Sequence, residues 1–145
     1  MDASISIRRW RPEDVAHLAV LSGELGYRAT ADQIARRLAE MSVSSTVLVA
    51  AENDSDSVVG WIELAVVTHL TSDPHLEICG LVVSEAARSR GIGGLLVRAA
   101  EKTAIERHIG HLRVRSNIVR DRAHGFYERL GFVNVKTSKV FEKAL

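Results

Sequence analysis

Residues Leu81 to Gly94 limit the fold more tightly than any other stretch of the chain. An apolar run, Leu81-Val82-Val83, gives way to Arg88-Ser89-Arg90-Gly91-Ile92-Gly93-Gly94, where a helical apolar spacing begins. A strand that turns through glycines into a helix leaves the first helical N–H groups without intrahelical acceptors, at the positive end of the helix dipole. Such a turn is an anion site. Glycine keeps Cβ atoms out of the path of an approaching phosphate, and Arg88 and Arg90 add positive charge.

Three phosphate-binding readings of the turn compete, beside a plain tight connection in front of a helix. A dinucleotide fingerprint needs a third glycine where Leu96 stands, and an acid near the end of the next strand, where His111 to Arg115 has none. A P-loop needs Gly-Lys-Ser/Thr at the helix start, and Gly93-Gly94-Leu95 supplies neither lysine nor hydroxyl. Coenzyme A is the phosphate-bearing ligand left.

The rest of the chain alternates helical and strand patterns. Ile5 and Ile7 alternate with polar residues, and Arg11-Pro12-Glu13-Asp14 opens a helix carrying Val15, Leu18 and Leu25, with Gly26 as its stop. Thr30-Ala31-Asp32-Gln33 has the form of a capping box ahead of Ile34, Leu38 and Met41. Thr46 to Ala51 and Val58 to Val67 read as a hairpin around a polar loop. Further strands are predicted at Leu76 to Val83, Leu112 to Arg115, Phe132 to Val135 and Lys139 to Phe141. Helices are predicted from Gly91 to His108 and along Ala123, Phe126, Tyr127 and Leu130 up to Gly131. The fold class is mixed α/β.

At 145 residues and 46% hydrophobic content, the chain is long enough to bury one core unaided and reads as a single domain over 1–145. No apolar run approaches the roughly 20 residues that span a bilayer, and Met1 to Trp10 lacks a signal-like stretch, which predicts a cytoplasmic protein away from membranes. The one cysteine, Cys79, reads as core, and no Cys and His spacing predicts a metal site. Residues 1 to 75 carry 11 acidic and 6 basic side chains, and residues 76 to 145 carry 7 acidic and 13 basic. That asymmetry suits an anionic ligand on the second half and a cationic one on the first, or is a chance division of solvated charge.

Arg-x-x-Gly-x-Gly at Arg88 to Gly93 behind Leu81-Val82-Val83, the Gly60-Trp61 step, and Phe126-Tyr127-Glu128-Arg129-Leu130-Gly131-Phe132 together resemble the GNAT superfamily of acetyl-CoA-dependent N-acetyltransferases. The resemblance extends over nearly the whole chain. It implies a mixed, mostly antiparallel sheet of about seven strands flanked by four helices, with the parallel strands 76–83 and 112–115 splayed to admit the pantetheine arm. It also implies that backbone groups of Leu81 and Val83 bond the arm, that a backbone N–H near Val82 or Val83 polarises the thioester carbonyl, and that Arg88, Arg90, Gly91, Ile92, Gly93 and Gly94 hold the pyrophosphate. Asn117 matches the family's arm-binding asparagine imperfectly, since Arg120 occupies the usual place, and a helix cap is the other reading.

Acetyl transfer to an amine needs a neutral nucleophile and a proton for the departing thiolate. Glu77, an acid inside an apolar strand, matches the family's general-base glutamate, or else faces solvent at an edge. Tyr127 matches the tyrosine that protonates the thiolate, or else only packs. Arg113, Arg115, Arg120 and Arg122 could follow a nucleic-acid backbone, but aromatic content of 5% and the lack of a stacking platform argue against it. The expected reaction moves acetyl from acetyl-CoA to a primary amine of an unidentified small-molecule or peptide acceptor. A non-catalytic acyl-CoA-binding or regulatory module of the same fold is the alternative. Homodimers are common in such a family.

Overall fold

The computed structural model describes residues 4–116 and 118–145. It comprises two compact units, one running to Val114 and one from Arg115 to Leu145.

In the first unit a single sheet has the order β1 (Ile5–Arg9), β2 (Ser45–Glu52), β3 (Val58–His69), β4 (Ser72–Val83), β5 (Leu112–Val114). The first four strands pair antiparallel, while β5 lies parallel to β4. Helices α1 (Val15–Leu25) and α2 (Ala31–Glu40) precede β2, and α3 (Ile92–Glu106) connects β4 to β5. A parallel neighbour requires such a crossover, because a tight turn cannot reverse the chain twice.

Local chemistry accounts for the helix ends. Thr30 Oγ1 accepts from the Gln33 N–H at 3.1 Å and the Thr30 N–H donates to Gln33 Oε1 at 2.9 Å, the reciprocal box expected for α2. Gly26, at φ +103, ends α1 in the left-handed region, again as expected. A short 3-10 turn, Pro12–Asp14, leads into α1. Asp14 is buried there, accepting from Arg8 at 2.8 and 3.0 Å and from the Arg11 N–H at 2.7 Å. Arg8 also reaches Asp56 in the β2–β3 loop at 3.2 Å, so one guanidinium ties the end of β1, the start of α1 and that hairpin together.

Each face of the sheet carries its own layer. Trp61 stands opposite Val49 and Val82, and Glu63 opposite Val47 and Gly80. Val47, Val49 and Val82 on this face pack with Leu18 and Leu21 of α1 and Leu38 of α2. On the other face Ile62, Leu64 and Leu76 are fully buried, as are Ile92, Leu96 and Val97 of α3, which contacts β3 and β4. Gly60 is what seats α3: a Cβ there would lie 2.9 Å from the Val82 carbonyl oxygen and 3.4 Å from Leu96 Cδ1.

The second unit contains α4 (Asp121–Arg129). Gly131 follows it at φ +92, its N–H donating to the Glu128 carbonyl at 3.1 Å and that of Phe132 to the Tyr127 carbonyl, also at 3.1 Å. This is a Schellman ending. The strands expected at Phe132 to Val135 and Lys139 to Phe141 do not form, and among the described residues the sheet has five strands rather than about seven. The alternation there is real, but a strand exists only where its N–H and C=O groups meet a partner ladder, and along 132–145 none is made. Among the described residues, no helix is long and apolar enough to cross a membrane.

Candidate active site

β4 is the element around which the candidate site is built. Its pairing with β5 covers only Leu76–Leu112, Glu77–Arg113 and Ile78–Val114. Against β3 the register jumps at the same point: Leu64 pairs with Ile78 but Glu63 pairs with Gly80, leaving Cys79 as an extra residue on β4. A bulge of this kind bends and twists its strand. From Gly80 to Val83, β4 stays laddered with β3, and among the described residues its pairing with β5 stops at Ile78. On that stretch Val82 is buried and Leu81 and Val83 are partly buried.

Beyond Val83 the chain makes a short 3-10 turn, Glu85–Ala87, then reaches Gly91 and α3. Ser89 at φ +68 and Gly91 at φ +75 are both left-handed. A Cβ at Gly91 would meet nothing within 4 Å, so its need for glycine is one of backbone conformation, not space. Ile92 is buried and pins the helix start, while Gly93 and Gly94 remain partly exposed. Leu95 is the first residue of α3 whose N–H returns to the turn, reaching the Gly91 carbonyl at 3.1 Å. The N–H groups of Ile92, Gly93 and Gly94 precede that bond, as the first turn of any helix must.

The two arginines of the turn have separate surroundings. Arg90 Nη1 lies 2.6 Å from Glu52 Oε1, and its Nη2 is 3.0 Å from Ser4 Oγ, which binds the turn to the end of β2. Arg88 is more exposed and stands 3.9 Å from Glu85. Asn117 lies outside the described residues.

Glu77 is partly buried on β4 and lies 3.2 Å from Nε2 of the buried His75, whose ring stacks 6.1 Å from that of His69. Glu77 is opposite Ala65, two residues beyond Glu63, so both carboxylates belong to the face that meets α1 and α2. Burial raises the Glu63 carboxyl above its ordinary value. Cys79 keeps an exposed surface rather than joining the core, a correction to the expectation for it. Protein packed about its thiol, with Glu63 and Glu77 adding negative charge, pushes the thiol up to about 11.

Glu63 went unnoticed in the sequence, although the criterion that singled out Glu77 applies to it equally. It is an acid between Ile62 and Leu64, both wholly buried. It lines a cavity of about 440 Å3 between α1, α2 and the sheet, with Trp61, Cys79 and Gly80. Trp61 lies over Gly80, where a Cβ would come within 2.8 Å of Cζ3, and the buried indole N–H has no partner among the described residues.

In the second unit, Tyr127 sits between Phe126 and Phe132, with ring centroids 5.1 and 5.4 Å away in edge-on contacts. Burial raises its phenol and nearby Arg120 lowers it, with a net rise. Tyr127 therefore keeps its proton through neutral pH, which an acid must do. Among the described residues, no group of three His, Cys, Asp or Glu side chains could hold a metal.

The profile of the acetyltransferase (GNAT) family matches residues 9–132. A structure of a protein named as an acetyltransferase, from Agrobacterium tumefaciens str. C58, superposes with a TM-score of 0.84 at 30% identity, covering 95% of this chain and 99% of that one. The aminoglycoside N-acetyltransferase AAC(6')-Iy in complex with CoA gives 0.85 at 15% identity, with 100% and 98% covered. An aminoglycoside antibiotic 6'-N-acetyltransferase from Acinetobacter baumannii gives 0.81 at 17%, with 97% and 99% covered. The last two likenesses are of fold. No curated protein matches the sequence.

Proposed function

Because the chain belongs to the acetyltransferase (GNAT) family, we propose that it transfers the acetyl group of acetyl-CoA to a primary amine by direct attack on the thioester, as a single functional domain over 1–145. The observation that carries this reading is that β4 runs on past Ile78, its last paired residue with β5 among the described residues, through the bulge at Cys79 to Val83, just before the left-handed Gly91 and the start of α3. An extended arm with amide groups suits that stretch of strand, and a pyrophosphate suits the N–H groups in the first turn of α3, those of Ile92, Gly93 and Gly94. The CoA-bound neighbour of the same fold supports the choice of ligand.

Acetyl-CoA supplies an activated thioester. Backbone groups of Leu81 and Val83 hold the arm, and a backbone N–H at Val82 or Val83 draws charge from the carbonyl oxygen. Arg88 adds charge at the phosphates, and Arg90 keeps the turn in place through Glu52. Asn117 is assigned to the arm. Glu77, directly or through water, takes the proton from the incoming amine, and Tyr127 delivers one to the departing sulfur as the C–N bond replaces the C–S bond.

The test is release of free thiol from acetyl-CoA across a panel of primary amines, with acetyl-CoA affinity measured in parallel by calorimetry. Amine-dependent release supports transfer. Tight binding with no release for any amine would make the chain an acyl-CoA-binding module instead.

A further inference from the structure

We infer that the acceptor is a primary amine with one positive charge on an apolar body, seated in the cavity between α1, α2 and the sheet with its ammonium on Glu63. The inference rests on the acetyl-transfer reading for what happens to that amine, and on the cavity alone for which amine it is.

The cavity volume, about 440 Å3, falls toward the small end of the roughly 300–1,000 Å3 typical of small-molecule sites. Its walls are apolar: Leu18 and Leu25 of α1, Ile34 and Leu38 of α2, and Trp61 of β3 stand around it. Two charged side chains line it, Glu63 on the sheet and Arg37 on α2. Glu63 has neither a hydrogen bond nor an ion pair among the described residues, and burial holds its carboxyl above the ordinary range. A half-buried carboxylate without a partner is unfavourable, and a bound ammonium offsets that by giving it a charge-assisted hydrogen bond.

Position agrees with chemistry. Glu63 pairs across the ladder with Gly80, next to the bulge where β4 leaves β5. An amine held by Glu63 thus lies beside the bulge of β4, on the same face as Glu77. Arg37 carries the selectivity. It is exposed on α2 where it lines the cavity, so a second or third ammonium on the acceptor meets repulsion, and among the described residues the lining holds no further acid to answer it. A polyamine or an aminoglycoside is therefore a poor fit here, although aminoglycosides are named for structural neighbours of the same fold.

The experiment uses the full chain with three probes: 2-phenylethylamine, spermidine and kanamycin. Binding of each is read by quenching of tryptophan fluorescence, which does not require turnover, and thiol release is read separately. The inference expects 2-phenylethylamine to bind at least about tenfold more tightly than either polycation, and Glu63→Gln to weaken it by about tenfold or more while acetyl-CoA affinity is unchanged. Arg37→Glu should narrow the gap to spermidine. Tighter binding of spermidine or kanamycin by the native chain, indifference of 2-phenylethylamine to Glu63→Gln, or no binding of it at all would each overturn the inference. Glu63-dependent binding without thiol release would uphold it and count against acetyl transfer.

Discussion

Arg90 and Glu52 meet at 2.6 Å, so the second arginine of the glycine turn is anchored on the sheet. If Arg90 acts by holding the turn, Arg90→Ala and Glu52→Gln should each lower acetyl-CoA affinity, and the double variant should lose little more than either single one. Two residues in one ion pair are expected to couple by about 0.5–3 kcal/mol. Calorimetric titration of the four proteins measures the cycle. Full affinity in Glu52→Gln together with a large loss in Arg90→Ala would assign Arg90 to the phosphates instead.

Asp14 is expected to govern acid stability. Burial raises its carboxyl, but the Arg8 guanidinium and the Arg11 N–H outweigh burial and hold it below the usual range. A carboxylate depressed in the folded state stabilises above its unfolded pKa of about 3.9, and the contribution is lost as pH falls through the folded value. Asp14→Asn should therefore cost about 3 kcal/mol at neutral pH, with the deficit closing in strong acid. Denaturant unfolding across pH measures it, and a deficit constant with pH would contradict the ion-pair account.

Glu63 has the opposite sign. Its carboxyl is raised by burial, so its favourable contribution is present below the unfolded pKa and disappears as pH rises through the folded one. Glu63→Gln should match the native melting temperature in acid and exceed it once pH passes about 4.3, levelling off above the raised value. Equal melting temperatures at every pH would mean that burial does not disfavour the carboxylate.

Tyr127 depends on the turn behind it. Gly131 sits at φ +92, and a Cβ there would meet nothing within 4 Å, so substitutions act through the backbone alone. Relative to glycine, Gly131→Ala should cost about 1 kcal/mol, Gly131→Asn less, and Gly131→Val more. If the Schellman turn sets the tyrosine ring, kcat should fall in the order Gly, Asn, Val. An unchanged kcat in the valine variant would separate the turn from catalysis.

Tyr127→Phe tests the acid directly. Loss of a general acid lowers kcat by about 10²- to 10⁴-fold, while the KM for acetyl-CoA should hold. The native high-pH limb of kcat should lie above the ordinary tyrosine value of 10.0, since the phenol is raised. Loss of that limb in the variant identifies the group, and its persistence assigns it elsewhere.

Sequence pattern carried the fold where local chemistry decides it. The capping box at Thr30 and Gln33, the stop at Gly26 and the strand-turn-helix through Gly91 all depend on neighbours in the chain. It failed at Phe132 to Val135 and Lys139 to Phe141, where alternation promised strands that need a partner ladder. Glu77 was visible as an acid among apolar residues, and Glu63 met the same criterion. What separates the two is the cavity, which arises from α1 and α2 crossing the sheet face and has no single-residue signature. The bulge at Cys79 left no mark either, because a lone cysteine in an apolar run reads as core.

That bulge gives β4 an arithmetic property. Removing Cys79 would bring Ile78 and Gly80 into sequence, still opposite Leu64 and Glu63, so no side chain on either side would change face. A one-residue deletion in a central strand ordinarily inverts everything beyond it. Here the phase is already absorbed, and the strand would only straighten. The bulge is thus written as chain length, one residue more than the pairing needs, rather than in the identity of any side chain.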